Sequence, residues 1–292
     1  MLTFPQMQGA FGRWRRALRR RVLEPIVLGN RSLRETVLNA LAARGHLIYC
    51  ALPEGHFFVD PSDRVVASWL MWHGGWQRAE IEQATAILAR AGRLPPDAVF
   101  VDAGANIGTH TVYALRSGFF ARAIACEPEP KNARLLEMNI AANKLSPRVI
   151  VVAKALGAAG GSAVLHLHPR NKGAHSVGSA PSRDGQEQVS VPMTRLEDVL
   201  KENGVAPAQV GVIWIDVEGS EPEVVRGLGK FLGAAPLAIE YAPHRYGSAG
   251  DEFRTLLQQH YTTLHRLGPQ TAAPEPIAAL AGIRSITDIL VY

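Results

Sequence analysis

Residues 99–111, Val-Phe-Val-Asp102-Ala-Gly104-Ala-Asn106-Ile-Gly108-Thr-His-Thr, decide the fold. The run Ala98–Asp102 is a short stretch of β-formers, the pattern of a strand buried on both faces. Gly104 and Gly108 then give a tight turn, and helical spacing begins near residue 107. A strand that passes through glycines into a helix opens a βαβ unit. The glycines let the backbone approach a ligand, and the amides of the helix start face it. The spacing is not the dinucleotide GxGxxG, and the phosphate-cradling GxxxxGK[ST] is absent, which weakens a nicotinamide or nucleoside triphosphate reading.

Outward from this turn the pattern repeats. Apolar runs at 98–102, 122–127, 148–153, 211–216, 236–241, 261–266 and 286–292 read as strands. Segments 107–116, 130–143, 195–203, 221–232 and 251–260 read as helices. This alternation predicts an α/β fold: a Rossmann-like, doubly wound, mostly parallel sheet of seven strands. Residues 162–168 and 188–193 alternate more strictly and are joined by a Gly/Ser/Pro/Asn-rich span, so a small inserted β-hairpin with a mobile loop is expected.

Upstream, residues 31–44 carry a helix signature with Ser32 as N-cap and Gly45 as stop, and 46–63 read as a hairpin around Pro53-Glu54-Gly55. A Trp-rich stretch (Trp69, Trp72, Trp76) precedes a helix over 77–91 that ends at Gly92. The expected division is therefore an N-terminal basic helix with a helix and hairpin extension, 1–92, and a core, 93–292.

The chain has 292 residues, 47% of them hydrophobic and 20% charged, enough to bury one full α/β core. The formal charge of +5 is concentrated at one end: residues 1–34 hold eight arginines and a single acid, Glu24. Arg13, Arg15, Arg16, Arg19, Arg20 and Arg21 flank Trp14, Leu18, Val22 and Leu23, an amphipathic basic helix. Such a helix suits an anionic membrane surface, an acidic partner or RNA, or packs its apolar strip on its own domain. The rest of the chain is slightly acidic and shows no basic stripe, which argues against a nucleic-acid substrate. The two cysteines, Cys50 and Cys126, form neither a disulfide framework nor a metal spacing. With no apolar stretch long enough to span a bilayer and no secretory signal, the expectation is a cytoplasmic protein, in one version peripheral to a membrane through Arg13–Arg21.

Asp102, at the strand tip ahead of the glycines, is an electrostatic partner for a ligand with an amino group and a sulfonium. S-adenosyl-L-methionine meets that description. Glu127, followed by Pro128, ends the second core strand where ribose hydroxyls lie in the crevice of such a sheet. A second cluster, Trp214-Ile-Asp216-Val-Glu218-Gly-Ser-Glu221, ends the fourth core strand. Asp216 and Glu218 are expected to face the reaction, with Glu221 and Glu223 capping the next helix. Candidate bases for a hydroxyl acceptor are Asp216, favoured, with Glu218, Glu240, His175 and His244. No metal site is indicated, since His166 and His168 lack a third ligand at a recognisable spacing.

Together, VFVDAGANIGTHT…ACEPEPKNARLLEMNIAAN and WIDVEGSEPEVVRGL resemble the FkbM-type family of class I S-adenosylmethionine-dependent methyltransferases over roughly residues 76–241. The resemblance implies that Asp102, Gly104, Asn106 and Gly108 hold the methionine end of the cofactor. It implies that Glu127 binds the ribose and that Asp216 and Glu218 border the acceptor. The family is associated with O-methylation, so a small hydroxylated acceptor is expected: a metabolite, a sugar or a lipid-linked glycan. Trp214 stands where a lysine is usual, and Pro222 where an apolar residue is usual. The competing expectation is a catalytically inactive binding protein on the same fold, using the basic N-terminal helix for a partner or membrane surface.

Overall fold

The computed structural model describes residues 30–177, 187–268 and 273–292. The expected basic helix at Arg13–Arg21 and much of the loop in the insert lie outside them. The chain forms two compact units. One takes the described residues up to Ile48 together with Asp60–Ser62, and the other takes Tyr49–Val59 and Asp63–Tyr292. The expected boundary at residue 92 falls inside the second unit.

In the first unit, helix α1 spans Arg31–Ala42. Its cap is Asn30 rather than Ser32: the Asn30 side chain accepts from the Leu33 amide at 3.1 Å. The helix starts two residues earlier than the serine suggested.

The second unit opens with a two-stranded hairpin, β1 (Ile48–Leu52) and β2 (Gly55–Val59). Asn139 and Asn143 pin β2 to the core through the backbones of Phe58 and His56, at 2.6–3.2 Å. The Trp-rich stretch folds as helix α2 (Val66–His73), ended by Gly74 in the left-handed conformation, and α3 follows over Arg78–Arg90. The sequence pattern missed α2 because eight nearly all-apolar residues show no helical period.

The core then alternates as expected: β3 (Val99–Ala103), α4 (Thr109–Arg116), β4 (Arg122–Cys126), α5 (Pro130–Ala142) and β5 (Val149–Val152). An insert of β6 (Ala155–Leu156), β7 (Gly161–His166), β8 (Ser176–Val177) and β9 (Gln188–Thr194) follows. The chain returns through α6 (Leu196–Glu202), β10 (Val210–Ile215), α7 (Glu221–Arg226), β11 (Leu237–Tyr241) and α8 (Ala249–His260). It closes with β12 (Thr263–Arg266), β13 (Glu275–Pro276) and β14 (Thr287–Val291).

The main sheet has eight strands in the order β5-β4-β3-β10-β11-β14-β12-β13. The five strands from β5 to β11 are parallel, whereas β14 runs antiparallel to both β11 and β12. The eighth strand is the two-residue β13, too short to register as a period; its Pro276 sits on the sheet edge, where a missing amide is tolerated. Val99, Val101, Ile124, Ile213, Ile215 and Leu237 are all buried, which is why these strands read as unbroken apolar runs. The order reverses between β3 and β10. At that switch point a crevice opens beyond the C-terminal strand ends.

The insert is more than a hairpin. The antiparallel pair β7–β9 is flanked by β6 and β8 in a four-stranded sheet with its own core of Ala155, Leu165, Leu167 and Val191. The helix expected at 221–232 stops at Arg226 because the chain must pass close to the insert. A Cβ on Gly227 would lie 2.2 Å from the Gly157 carbonyl oxygen.

Candidate active site

The turn after β3 is built by close backbone approach. Gly104 and Ala105 donate to the Cys126 carbonyl of β4 at 3.0 and 2.9 Å, and Asp216 donates its amide to Ala103 at 3.0 Å. Gly104 has φ +93°, and a Cβ there would lie 1.9 Å from the Asp216 carbonyl oxygen. Only glycine fits. Asn106, also with positive φ, donates its amide to Glu127 Oε2 at 2.8 Å, tying the turn to the tip of β4.

Glu127 is 5% exposed and takes a second amide bond, from Glu129 at 2.9 Å. Burial pushes its pKa up to about 7 against the pull of those amides. It lines a first cavity with Gly104, Asn106, Pro128, Lys154 and Asp216. The roof comes from the insert: Lys172, Gly173, His175 and Val177. Asn132 fastens that roof by donating to the Lys172 carbonyl at 2.8 Å. The cavity measures about 50 Å³, room for about four waters at roughly 10–15 Å³ each.

A second cavity of about 200 Å³ adjoins the first. Gly104, Asn106, Gly173, Asp216 and Glu218 line both. Trp76, Gln77, His110, Glu240 and Arg245 line the second alone. Here the carboxylates of Asp216, Glu218 and Glu240 offer oxygens within 4.8 Å of one another. Arg245 Nη1 bridges two of them, 2.7 Å from Glu218 and 2.6 Å from Glu240. Desolvation and repulsion raise two of these acids, Glu218 to about 7 and Asp216 well above its ordinary value. Glu221 is fully buried and accepts from the Val217 and Gly219 amides at 3.0–3.1 Å, folding the loop that carries Glu218.

The expected site residues separate into two groups. Gly104, Asn106, Glu127, Pro128, Asp216, Glu218 and Glu240 converge on the two cavities. Asp102 and Gly108 stand behind the wall. Asp102 is 0% exposed, takes the Thr111 hydroxyl at 2.5 Å, and burial lifts its pKa to about 7. Gly108 caps α4, where a Cβ would meet Leu136 Cδ1 at 2.6 Å. His244 is exposed and lines neither cavity; its neighbour Arg245, also exposed, is the residue of this short turn that lines the second cavity and reaches the acids. His175 reaches the first cavity, but its Nδ1 already accepts the His168 amide at 2.9 Å.

Three contributors escaped the sequence reading: His110, Gln77 and Arg245. Only His110 had a visible signal, lying one residue into the helix that the glycine turn begins. Trp214, the departure from the usual lysine, is buried on β10 and packs against His110 with ring centroids 4.9 Å apart. Pro222 sits in the first turn of α7, where its missing amide leaves no bond unmade.

Residues 102–267 match the model of the methyltransferase FkbM domain. Methyltransferase sdnD of Sordaria araneosa is 30% identical over 161 residues, covering 46% of this chain and 62% of that protein. Methyltransferase 1 of Beauveria bassiana is 30% identical over 153 residues, 46% of this chain and 59% of that protein. The chain thus spans about three fifths of the length of these relatives. Among solved structures, methyltransferase FkbM from Methylobacillus flagellatus KT superposes with a TM-score of 0.44 at 19% identity, over 67% of this chain and 44% of that one. The domain match covers more than half of the sequence, including the glycine turn, Glu127 and the acidic cluster, and the chain belongs to the FkbM methyltransferase domain family.

Proposed function

We propose that this protein transfers a methyl group from S-adenosyl-L-methionine to a hydroxyl of a small acceptor. The observation that carries the reading is the shared wall: Gly104, Asn106, Asp216 and Glu218 line both cavities, so ligands in the two meet there. The residues of the first cavity suit the cofactor. Gly104 clears the backbone approach, Glu127 offers a buried carboxylate to ribose hydroxyls, and Asn106 Oδ1 is a buried acceptor with no partner.

When bound, the cofactor supplies an electrophilic methyl on a sulfonium leaving group. The chain's own task is to align the acceptor, exclude water and take the hydroxyl proton. Asp216 lies at the junction, and its raised pKa makes it a better proton acceptor than an ordinary carboxylate. Glu218 and Glu240, held by Arg245, position the acceptor. Loop Lys172–Val177 closes the cofactor side. The reading includes a cytoplasmic setting, supported by Cys50 and Cys126 being buried and unpaired. Among the described residues no helix is long and apolar enough to cross a membrane.

Calorimetric titration with S-adenosylmethionine and S-adenosylhomocysteine, with NAD as control, tests the proposal. Micromolar binding of both adenosyl ligands, lost in Glu127→Ala, is expected. A folded protein that binds neither would make the chain a binding module on a methyltransferase fold. Labelled methyl transfer to a panel of hydroxylated acceptors then tests the chemistry.

A further inference from the structure

The wall of the second cavity carries more negative than positive charge, with Asp216, Glu218 and Glu240 set against Arg245. Among the described residues Asn106 Oδ1 is buried without a hydrogen-bond partner, and burial together with the neighbouring Glu240 and Glu218 disfavours the ionised form of Asp216. Glu218 and Glu240 share one guanidinium.

His110 adds an independent observation. Its ring is 4% exposed and lines the cavity from the first turn of α4. Its Nε2 lies 2.9 Å from Gln77 Oε1, and Gln77 Nε2 lies 3.4 Å from Asp288 Oδ2. With Asp288 ionised, its carboxylate accepts from the Gln77 amide, so Gln77 turns its oxygen to the ring and Nε2 carries the proton. Nδ1, the other ring nitrogen, is then the acceptor. Burial lowers the His110 pKa to about 4, so the ring stays neutral and adds no positive charge.

Three carboxylates therefore line this cavity against one guanidinium. Asp288 and Glu221 add negative charge from behind, and both act on Asp216. A cation that enters is attracted by this net negative wall and can donate to Asn106 Oδ1, whereas an anion meets repulsion.

We infer that the second cavity is built for a hydroxylated ammonium, whose charged nitrogen sits among Asp216, Glu218 and Glu240 while its hydroxyl turns to the shared wall. Its role as methyl acceptor rests on the function proposed above. A nitrogen held protonated has no lone pair to methylate, so the same contacts that bind the ammonium direct transfer to oxygen.

Four probes, glucosamine, serinol, glucose and glucuronate, decide the matter by saturation-transfer NMR titration near neutrality, with and without S-adenosylhomocysteine. Glucosamine or serinol is expected to bind about tenfold more tightly than glucose, and glucuronate more weakly than glucose. Tighter binding of glucosamine than serinol supports an amino sugar, and the reverse supports an open-chain amino alcohol. Glu240→Gln should shrink the preference for the amine, and Arg245→Gln should enlarge it, each variant's fold being checked by circular dichroism. Equal or absent binding of the amines and glucose, a preference for glucuronate, or a preference that neither variant moves overturns the inference. Failure of the adenosyl ligands alone would strike the methyl-transfer reading and leave the charge preference standing.

Discussion

Replacing Gly104 by alanine perturbs the cleft at its tightest point. The new Cβ would lie 1.9 Å from the Asp216 carbonyl oxygen and 2.8 Å from its carbon, both backbone atoms of the neighbouring strand end. Neither can rotate away, so β3 and β10 must part by about 1 Å for the contact to reach a tolerable distance near 3 Å. The positive φ adds about 1–2 kcal/mol for an L-residue, and overpacking about 1–3 kcal/mol. The expected loss of stability is thus roughly 2–5 kcal/mol. Gly108→Ala is the matched control. Its φ is similar, +89°, but the Cβ meets the end of the Leu136 side chain, which can move. It should cost roughly the backbone term alone, about 1–2 kcal/mol. Guanidinium denaturation gives both values, and calorimetry with S-adenosylhomocysteine gives the functional cost, expected to be large only for Gly104→Ala. Equal stabilities for the two variants, or undiminished cofactor binding by Gly104→Ala, would refute this account of the cleft.

Glu221→Ala should lose roughly 2–4 kcal/mol in urea denaturation, because it strands the Val217 and Gly219 amides, with Glu221→Gln milder since one acceptor remains. An unchanged midpoint for the alanine variant would mean that the loop is held by something else. Asp102 keeps its proton to about pH 7 in the folded state, whereas the unfolded chain releases it near 3.8. Native protein then binds more protons, so stability falls as pH rises from about 4 to 7. Asp102→Asn, which retains a partner for Thr111, should flatten that decline in a Tm-against-pH series; a slope that stays the same would contradict it.

The main sheet was legible because its central strands are buried on both faces and read as unbroken apolar runs. All seven apolar segments fall within one or two residues of an observed strand. The glycine turn and Glu127 were legible too, since close approach and a strand-tip carboxylate each leave a residue type at a fixed place. What failed needed three dimensions. The sequence places Asp102 ahead of the glycines, but says nothing about which face of β3 it takes, and it points into the layer with Thr111. His244 and Arg245 are adjacent in sequence, and only the short turn after β11 decides which of them reaches the acids. Gln77 lies 33 residues from the ring it orients.

The position of β14 has a consequence for how this chain is made. β14 lies between β11 and β12, although it follows both in sequence. As synthesis proceeds from the N-terminus, β3, β4, β5, β10 and β11 can assemble around the glycine turn while β12 has no neighbour but the two residues of β13. The cleft can therefore take shape on the ribosome before the sheet is finished. Emergence of Thr287–Val291 joins the two parts and covers the open edge of β11, which until then is exposed to pairing with other chains.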